Sequence, residues 1–466
     1  MTKHRSHFLL GDEKSRRALV EISLEADQEL FGLDPRGEDG RTAYKLSVLL
    51  VAALALRVGV IAATGQLGRS PQGDYREYVI AAQRLLSTGT IVTPMLPADA
   101  DPGPSAFLPP AYVVIAASAY WLLGVESAAA TLFLQLLGVI ATTAAVAVVF
   151  DIGRILGGRA AGWIAAIVLA LNPITVGFCG FIWDTSLFTL GTALCVWISV
   201  RLARKRPGLP AFLLFGLWLG GLALLNPALT LAYPLLVLWP IAKGRLPLRR
   251  AMAGCVAATI GWAMAIAPWA IRNYVHFGEW MYVRTGLMHE LWLGVSPEAD
   301  QYPRAMFDKQ FVLRNPDLQQ RYSAMGERAF VNECGRLAKE AIASDPLRYL
   351  RLMGLRAVDF WAGTVRTHAD PLTLQWWPRS PLRLSIALFA LVESVVVLAG
   401  MARGRDRGTR AWLLAIALVF SATYIATHIQ VRYRAPIEPV LAVALGLTAA
   451  AVSPFARRGN QGALTV

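Results

Sequence analysis

Two aspartates and three arginines stand at the ends of the long apolar runs of this sequence. Asp74 follows the first run, Asp184 lies between two later ones, and Arg272, Arg432 and Arg434 follow two others. A carboxylate can take the proton of an acceptor hydroxyl or amine, and the arginine fork suits phosphate. This set favours group transfer from a lipid-linked phosphate donor. We assign Asp74 as the base, Asp184 as a group that orients the sugar or acceptor, and the three arginines as the donor-phosphate clamp.

Structural roles stay open for each of these residues. Asp74 can be a solvated helix cap, and Asp184 can cap the span that begins beside it. The three arginines can anchor lipid headgroups at the interface. Arginines on the non-cytoplasmic side run against the charge bias of membrane proteins, which favours function over anchoring.

Six further residues in the same segments are assigned to substrate binding: Tyr75, Tyr78, Tyr112, Glu290, His428 and Tyr433. His428 also fits a structural, hydrogen-bonded role. The sequence shows no metal-ligand cluster, Gly-rich phosphate loop or Ser/His/Asp set, and we therefore expect no metal or other cofactor.

The composition indicates a membrane protein. Of the 466 residues, 55% are apolar and only 16% are charged, whereas soluble domains carry about a quarter charged residues. Apolar runs of roughly 20 residues recur, as spanning a bilayer requires. The formal net charge is +14, but the basic residues cluster in short loops, which favours membrane topology over nucleic-acid binding. The four cysteines lack metal-ligand spacing and are expected to be small core residues.

The spacing predicts an all-α polytopic protein with about ten transmembrane helices and both ends of the chain in the cytoplasm. The predicted spans are 44–64, 127–151, 160–178, 184–202, 211–225, 228–242, 251–271, 382–401, 411–428 and 436–453. Arg57, inside the first span, should face protein or a cavity. If 108–124 also spanned, the basic clusters would not all share one side. We therefore expect 75–87 and 108–124 to lie at the outer interface.

The topology divides the chain into five regions. These are a cytoplasmic segment 1–43 with a surface helix over 12–31, a catalytic membrane module 44–271 with an outer loop 65–126, an extracytoplasmic region 272–381, transmembrane helices within 382–453, and a cytoplasmic tail 454–466. Helical character is expected over 318–343 and 346–361. In this topology Asp74, Asp184, Arg272 and the segment 428–438 meet at one membrane face.

Several short motifs resemble those of a known superfamily. They are Gly73-Asp74-Tyr75 with Tyr78, Leu108-Pro109-Pro110-Ala111-Tyr112, Asn172-Pro173, Trp183-Asp184, Pro268-Trp269, Arg272-Asn273-Tyr274, Glu290-Leu291-Trp292 with Gly294, and Arg432-Tyr433-Arg434. In order and placement, this set is similar to the polytopic GT-C glycosyltransferases. The nearest branch holds the protein O-mannosyltransferases and the bacterial lipid A aminoarabinose transferase (glycosyltransferase family 39-like).

The resemblance implies an inverting enzyme that moves a sugar from a polyprenyl-phosphate donor to an extracytoplasmic acceptor, which is a glycan, a lipid or a protein. It matches Asp74 to the catalytic aspartate of the first outer loop and Asp184 to a second acidic residue, without a metal. Tyr75 departs from the branch, which often has a charged residue there. The lone Asp184 argues against an oligosaccharyltransferase-like metal site. The Ala, Gly, Arg and Leu bias favours a bacterial source, and hence the inner membrane.

Two other function classes remain open. A transporter or flippase for lipid-linked sugars or polysaccharides would place ionisable groups near mid-membrane, with access from both sides. An O-antigen-type polymerase or ligase would use a diphosphate-linked donor and a wider cationic site.

Overall fold

The computed structural model describes residues 38–71, 76–96, 103–205, 207–301, 304–363, 381–401 and 407–452. Asp74, Tyr75 and the helix predicted over 12–31 lie outside the described residues. The chain divides into two compact units, residues 1–52 and 53–466. Of the first unit, the description covers only the beginning of helix Glu38–Ala63.

Helices dominate the described residues, whose β structure is limited to one isolated bridge between Val92 and Pro104. After Glu38–Ala63, the α-helices are Glu77–Thr88, Pro110–Leu123, Ala128–Leu171, Pro173–Phe178, Thr185–Arg204, Leu209–Leu225, Tyr233–Lys243, Leu248–Phe277, Leu287–Val295, Arg304–Gln310, Pro316–Met325, Glu327–Ser344, Pro346–Ala362, Pro381–Met401, Arg407–Ala426 and Glu438–Val452. Short 3-10 segments cover Pro227–Ala232, Pro297–Gln301, Val312–Arg314 and Val431–Ile437.

The described part of the chain has seven helices long and apolar enough to cross a membrane. They are Gly40–Ala63, Ala128–Leu171, Thr185–Arg204, Leu248–Phe277, Arg383–Gly400, Arg407–Ala426 and Val431–Val452, and three shorter apolar helices accompany them. The prediction of an all-α polytopic membrane protein is confirmed. The predicted count of about ten spans is not confirmed.

The longest helix, Ala128–Leu171, contains a reversal of direction. Gly158 has a φ of +83°, which glycine adopts without a Cβ clash. A Cβ built on Gly153 would lie 2.8 Å from the Cα of Gly162, although a straight helix would separate these residues by about 13.5 Å. The rings of Phe150 and Trp163 also meet, 4.9 Å apart. This element is therefore two antiparallel segments, which correspond to the predicted spans 127–151 and 160–178.

Arg57 is fully buried against protein, as its place in an apolar run predicts. Its guanidinium donates to the carbonyl oxygens of Leu169 and Ala170 at 3.2 and 3.1 Å, and to Thr142 Oγ1 at 3.1 Å. These carbonyls end helix Ala128–Leu171, where backbone acceptors lack helical partners and carry partial negative charge. The side chain of Arg57 thus caps the C-terminal end of helix Ala128–Leu171.

The segment 65–126, which the sequence predicts to be the first outer loop and which keeps that name below, contains two helices at the predicted positions among its described residues. Helices Glu77–Thr88 and Pro110–Leu123 meet through Tyr78 and Tyr112, whose ring centroids lie 4.9 Å apart. Their placement at the membrane interface stays a prediction. The cysteines are free, and Cys179, Cys195 and Cys334 are buried, as expected of core residues.

The side chain of Glu327 links this loop to later segments of the chain through hydrogen bonds. Its carboxylate accepts hydrogen bonds from Ser105 Oγ at 2.5 Å, the Ala106 amide at 2.9 Å, Thr285 Oγ1 at 2.7 Å and Tyr322 OH at 2.8 Å. Because these donors come from three separate parts of the chain, one buried carboxylate holds the described end of the loop beside residue 285.

Candidate active site

Asp184, one of the predicted site residues, is a buried carboxylate at the start of a helix. It immediately precedes helix Thr185–Arg204, yet its side chain makes no capping hydrogen bond. The carboxylate instead accepts from Asn226 Nδ2 at 2.7 Å and from Tyr78 OH at 3.3 Å, and the residue is 3% exposed. The capping role considered for Asp184 is therefore not the one in the structure.

The surroundings of Asp184 move its titration toward neutral pH. Burial raises the pKa of the carboxyl to about 6, while the bond from Asn226 and the charges of Arg432 and Arg284 oppose that rise. Desolvation combined with specific charge partners is typical of functional carboxylates. The group can therefore be an ionised acceptor or a proton-bearing acid close to neutrality.

Arg432 lies beside Asp184 within an aromatic wall. Its guanidinium carbon is 4.2 Å from the centroid of the Trp183 ring and 5.3 Å from that of Tyr433, distances at which a cation attracts an aromatic face. Trp183 in turn packs edge-on against Tyr78 at 4.9 Å. The wall holds a buried cation next to a buried carboxylate.

A second set of polar groups adjoins this wall. Arg284 Nη2 is 2.7 Å from Glu290 Oε1, and His428 Nδ1 is 3.1 Å from Glu290 Oε2. The other ring nitrogen of His428 lies 3.2 Å from the hydroxyl of Tyr433. Burial alone would raise the pKa of Glu290, but His428 and Arg284 hold it well below its usual range. Glu290 is therefore in its ionised form.

Both sets surround one centre. The charge of Arg284 acts on Asp184 and Tyr78 as well as on Glu290. The structure thus brings together most of the described residues that the sequence assigned to the site. These are Tyr78, Tyr112, Asp184, Glu290, His428, Arg432 and Tyr433.

Arg272 lies elsewhere, on the backbone of the first outer loop. It donates to the carbonyl oxygens of Ile91 and Ser105, each at 2.8 Å, and its guanidinium carbon is 4.7 Å from the Trp269 ring. These contacts tie the loop to helix Leu248–Phe277. Its assignment to the donor phosphate stays a prediction, and its geometry favours a structural role.

Arg434 lies in a buried cluster that we call the ionic anchor, formed by Arg434, Glu393, Glu438 and Asn172. Arg434 is 1% exposed and lies 2.9 Å from Glu393 and 2.5 Å from Glu438. Asn172 Nδ2 donates to Glu438 at 2.7 Å. Because two protein carboxylates already face this guanidinium, the structure gives no support to Arg434 as a phosphate ligand.

Two site residues, Arg284 and Asn226, were missed in the sequence. Asn226 interrupts two short apolar runs before Pro227, and its side chain also accepts from the amide of Ala228 at 3.0 Å. An amide in that position was a usable signal. Arg284 lies in a polar stretch without periodicity, and only the tertiary structure places it beside Glu290.

Metal binding is not supported by any cluster among the described residues. No group of three or more His, Cys, Asp or Glu side chains there could hold an ion. The expectation of a metal-independent site stays a prediction.

The fold is similar to that of a solved oligosaccharyltransferase. The Archaeoglobus fulgidus oligosaccharyltransferase AglB, in complex with an inhibitory peptide and a dolichol-phosphate, matches with a TM-score of 0.54 and 14% identity over 91% of this chain and 52% of that chain. The same archaeal enzyme with Zn and sulfate matches with a TM-score of 0.51 and 15% identity, over 90% and 51% of the two chains. This chain therefore spans about half the length of the oligosaccharyltransferase.

ArnT from Cupriavidus metallidurans, bound to undecaprenyl phosphate, aligns over 93% of this chain and 81% of that chain with 16% identity and a TM-score of 0.36. No protein-family model matches the chain, and no curated protein does. The chain has a GT-C-like fold, as the resemblance of its motifs implied.

Proposed function

We propose that this protein is an integral-membrane inverting glycosyltransferase. It moves one sugar from a polyprenyl-phosphate donor to an extracytoplasmic acceptor, which is a glycan, a lipid or a protein. The observation that carries the proposal is a buried carboxylate, Asp184, on which the charge of Arg432 acts, beside an aromatic wall that Arg432 contacts, in a chain with a GT-C-like fold. A dolichol-phosphate in a complex of the archaeal neighbour agrees with this donor class.

The chemistry is a single displacement. The acceptor oxygen or nitrogen attacks the anomeric carbon, the bond from that carbon to the phosphate oxygen breaks, and the electron pair stays on the phosphate. The acceptor proton passes to a carboxylate, for which we retain Asp74. This residue precedes Tyr78 by four positions, and Tyr78 contacts Asp184. Asp184 orients the sugar or the acceptor.

The leaving phosphate needs fixed positive charge in a site that excludes water. Arg432 and Arg284 are the cations whose fields reach Asp184. They replace Arg272 and Arg434 in this proposal, because the latter two are bound to loop carbonyls and to the ionic anchor. A guanidinium can donate two parallel hydrogen bonds to phosphate.

The transporter alternative finds little support. Two fully buried arginines, Arg57 in an apolar helix and Arg434 in the segment Val431–Ile437, are held by protein carbonyls or carboxylates. A transport pathway would need such groups to line an accessible cavity. We further propose that the protein lies in a bacterial inner membrane, with its site on the extracytoplasmic side.

The test is sugar transfer by full-length protein in nanodiscs. A panel of radiolabelled polyprenyl-phosphate sugars is supplied with crude envelope acceptor, and wild type is compared with Asp74→Asn and Asp184→Asn. We expect transfer by wild type and a fall of about a hundredfold in Asp74→Asn, the scale of a lost general base. Asp317→Asn, which changes an exposed aspartate, is the matched control.

Two outcomes would contradict the proposal. Normal turnover by Asp74→Asn would remove that residue from the mechanism. Movement of lipid-linked sugar across the bilayer without consumption of the donor would identify a transporter.

A further inference from the structure

A chain of three polar side chains leads from a buried carboxylate to the edge of the candidate site. We call Glu290, His428 and Tyr433 the proton relay. Glu290 Oε2 is 3.1 Å from His428 Nδ1, and His428 Nε2 is 3.2 Å from Tyr433 OH. The Tyr433 ring lies 5.3 Å from the guanidinium carbon of Arg432. The relay therefore ends beside the cation proposed for the leaving phosphate.

Burial changes along the relay. His428 is 3% exposed, whereas Tyr433 is only partly buried. The imidazole thus lies inside the protein, and Tyr433 is the more exposed of the two residues. A proton bound by His428 has a short path to the hydroxyl of Tyr433.

The inner end of the relay is held in place by close backbone packing. A Cβ built on Gly294 would lie 1.8 Å from the carbonyl oxygen of Thr427, so only glycine lets helix Leu287–Val295 approach the residue before His428. Arg348 donates to the carbonyls of Val295 and Ser296 at 2.9 and 2.8 Å. The helix that carries Glu290 is therefore fixed against the segment that carries His428.

The charged and titratable groups that face or adjoin His428 come from several elements. They are Glu290 and His289 of helix Leu287–Val295, Arg284 behind Glu290, Tyr433, Tyr424 stacked on Tyr433 at 4.5 Å, and Arg356, which donates to the carbonyl of Ile425. Burial lowers the pKa of His289 to about 4, so His289 is neutral. Glu290 is thus the carboxylate that can balance an imidazolium at His428.

We infer that the proton relay protonates the phosphate as it leaves the sugar. This inference depends on the proposed transfer reaction. When the bond from the anomeric carbon to oxygen breaks, the electron pair remains on the phosphate oxygen. Tyr433 gives its hydroxyl proton to a phosphate oxygen, and the imidazolium of His428 gives its Nε2 proton to the tyrosine oxygen. His428 ends neutral, Tyr433 is unchanged, and solvent later returns one proton to the imidazole.

Charge balance explains the value of such a step. The donor is a phosphodiester with one negative charge, and its product is a monoester that carries two unless it takes up a proton. A second negative charge in a site of low dielectric is costly. Arg432 stabilises the first charge, and the relay prevents the second from accumulating.

The first test measures kcat and KM against pH for sugar transfer. Tyr433→Phe keeps the ring but removes the proton path, and we expect kcat to fall about a hundredfold while KM changes less than about threefold. The decline of wild-type kcat on the alkaline side should disappear in Tyr433→Phe and in His428→Gln. Tyr349→Phe is the control, since Tyr349 OH donates to the carbonyl of Ala426 at 3.1 Å, two residues before His428. An unchanged pH profile in Tyr433→Phe would overturn the relay.

The second test needs no sugar transfer, which separates failure of the relay from failure of the proposed function. Calorimetry measures the binding of farnesyl phosphate, a short polyprenyl monophosphate, in buffers with different heats of ionisation. In mildly alkaline buffer we expect uptake of about one proton per molecule bound by wild type, and clearly less by His428→Gln. Equal uptake by both proteins, or no binding, would overturn the inference. Uptake without any sugar transfer would support delivery of a proton to a bound phosphate by these residues and refute the proposed enzyme.

Discussion

Arg432 and Arg434 lie two positions apart in the segment Val431–Ile437, and their environments differ completely. Arg432 faces the rings of Trp183 and Tyr433 beside the carboxylate of Asp184. Arg434 faces two carboxylates and a row of carbonyl oxygens in the ionic anchor. The same type of side chain thus belongs to the candidate site in one case and to the scaffold in the other.

All three guanidinium nitrogens of Arg434 donate hydrogen bonds in the ionic anchor. A guanidinium has five N–H donors, and here its nitrogens reach Glu393, Glu438, Ser394 and the carbonyls of Phe360, Trp361 and Ala390. Asn172, between helices Ala128–Leu171 and Pro173–Phe178, completes the cluster. This network of ion pairs and hydrogen bonds fixes the short segment that also carries Arg432 and Tyr433, and a rigid support of this kind is what a precise site needs.

The largest expected effect comes from breaking the anchor. Arg434→Met leaves Glu393 and Glu438 buried without their cation, which should cost about 3–5 kcal/mol of folding free energy. The measurement is thermal unfolding in nanodiscs, with the exposed Arg351→Met as the control. Because Arg434→Met can fail to accumulate, the milder Glu393→Gln supplies a second value, with a smaller loss in the same direction. If Arg434→Met instead bound farnesyl phosphate more weakly at unchanged thermal stability, Arg434 would be a ligand of the donor phosphate, as the sequence predicted.

Changing Arg432 should lower the rate of sugar transfer and leave the thermal stability unchanged. Arg432→Met keeps the aliphatic stem but removes the charge, so we expect transfer to fall about a hundredfold while the melting temperature stays at the wild-type value. Arg432→Lys should recover part of the rate, because it restores a charge without the planar fork. A melting temperature lowered as far as in Arg434→Met would show that the two arginines do not differ as described.

The sequence predicts the members of the site better than their individual roles. Asp184, His428 and Tyr433 lie at the ends of apolar runs and Tyr78 lies in the segment after the first run, so the predicted topology places all four at one membrane face. Glu438 follows Arg434 by four positions, a spacing that the sequence shows. The contact that separates Arg434 from Arg432 also depends on Glu393, which lies 41 positions away on another helix, and no local pattern encodes that pairing. Arg284 was missed for the same reason.

The same limit applies to the fold. Hydropathy predicts the apolar helices and even the two halves of Ala128–Leu171. The close approach of Gly153 and Gly162, which folds those halves together, is a tertiary contact between residues nine positions apart. The helical class was accessible from periodicity, whereas the exact count of spans was not.

A smaller effect concerns the titration of Asp184, whose pKa burial raises to about 6 from an ordinary value of 3.8. The raised value means that folding favours the neutral acid. Stability from this group is present at acid pH and is lost as the pH rises through about 6. Transfer that needs the carboxylate should appear in the same window. Asn226→Ala removes a bond to the charged form, so the acid limb should move to higher pH by about one unit, which lowers the rate at the wild-type midpoint about fivefold. An acid limb that stays in place would contradict this role of Asn226.

The smallest expected effect is that of Tyr78→Phe. The bond from Tyr78 OH to Asp184 is 3.3 Å long, weaker than the 2.7 Å bond from Asn226. Removing it should cost about 0.5 kcal/mol, which is roughly a twofold change in rate. Steady-state kinetics at neutral pH measures it, and a fall as large as that of Arg432→Met would make Tyr78 a direct participant.

The most direct test of the account is a cryo-EM structure of the full-length protein in nanodiscs with a bound polyprenyl phosphate. We expect the phosphate density beside Arg432 and within hydrogen-bond reach of Tyr433. It should lie on the same side of the Trp183 ring as the carboxylate of Asp184. The ionic anchor should be unchanged. Phosphate density against Arg272 or Arg434, with Arg432 remote from it, would contradict the assignment of the site.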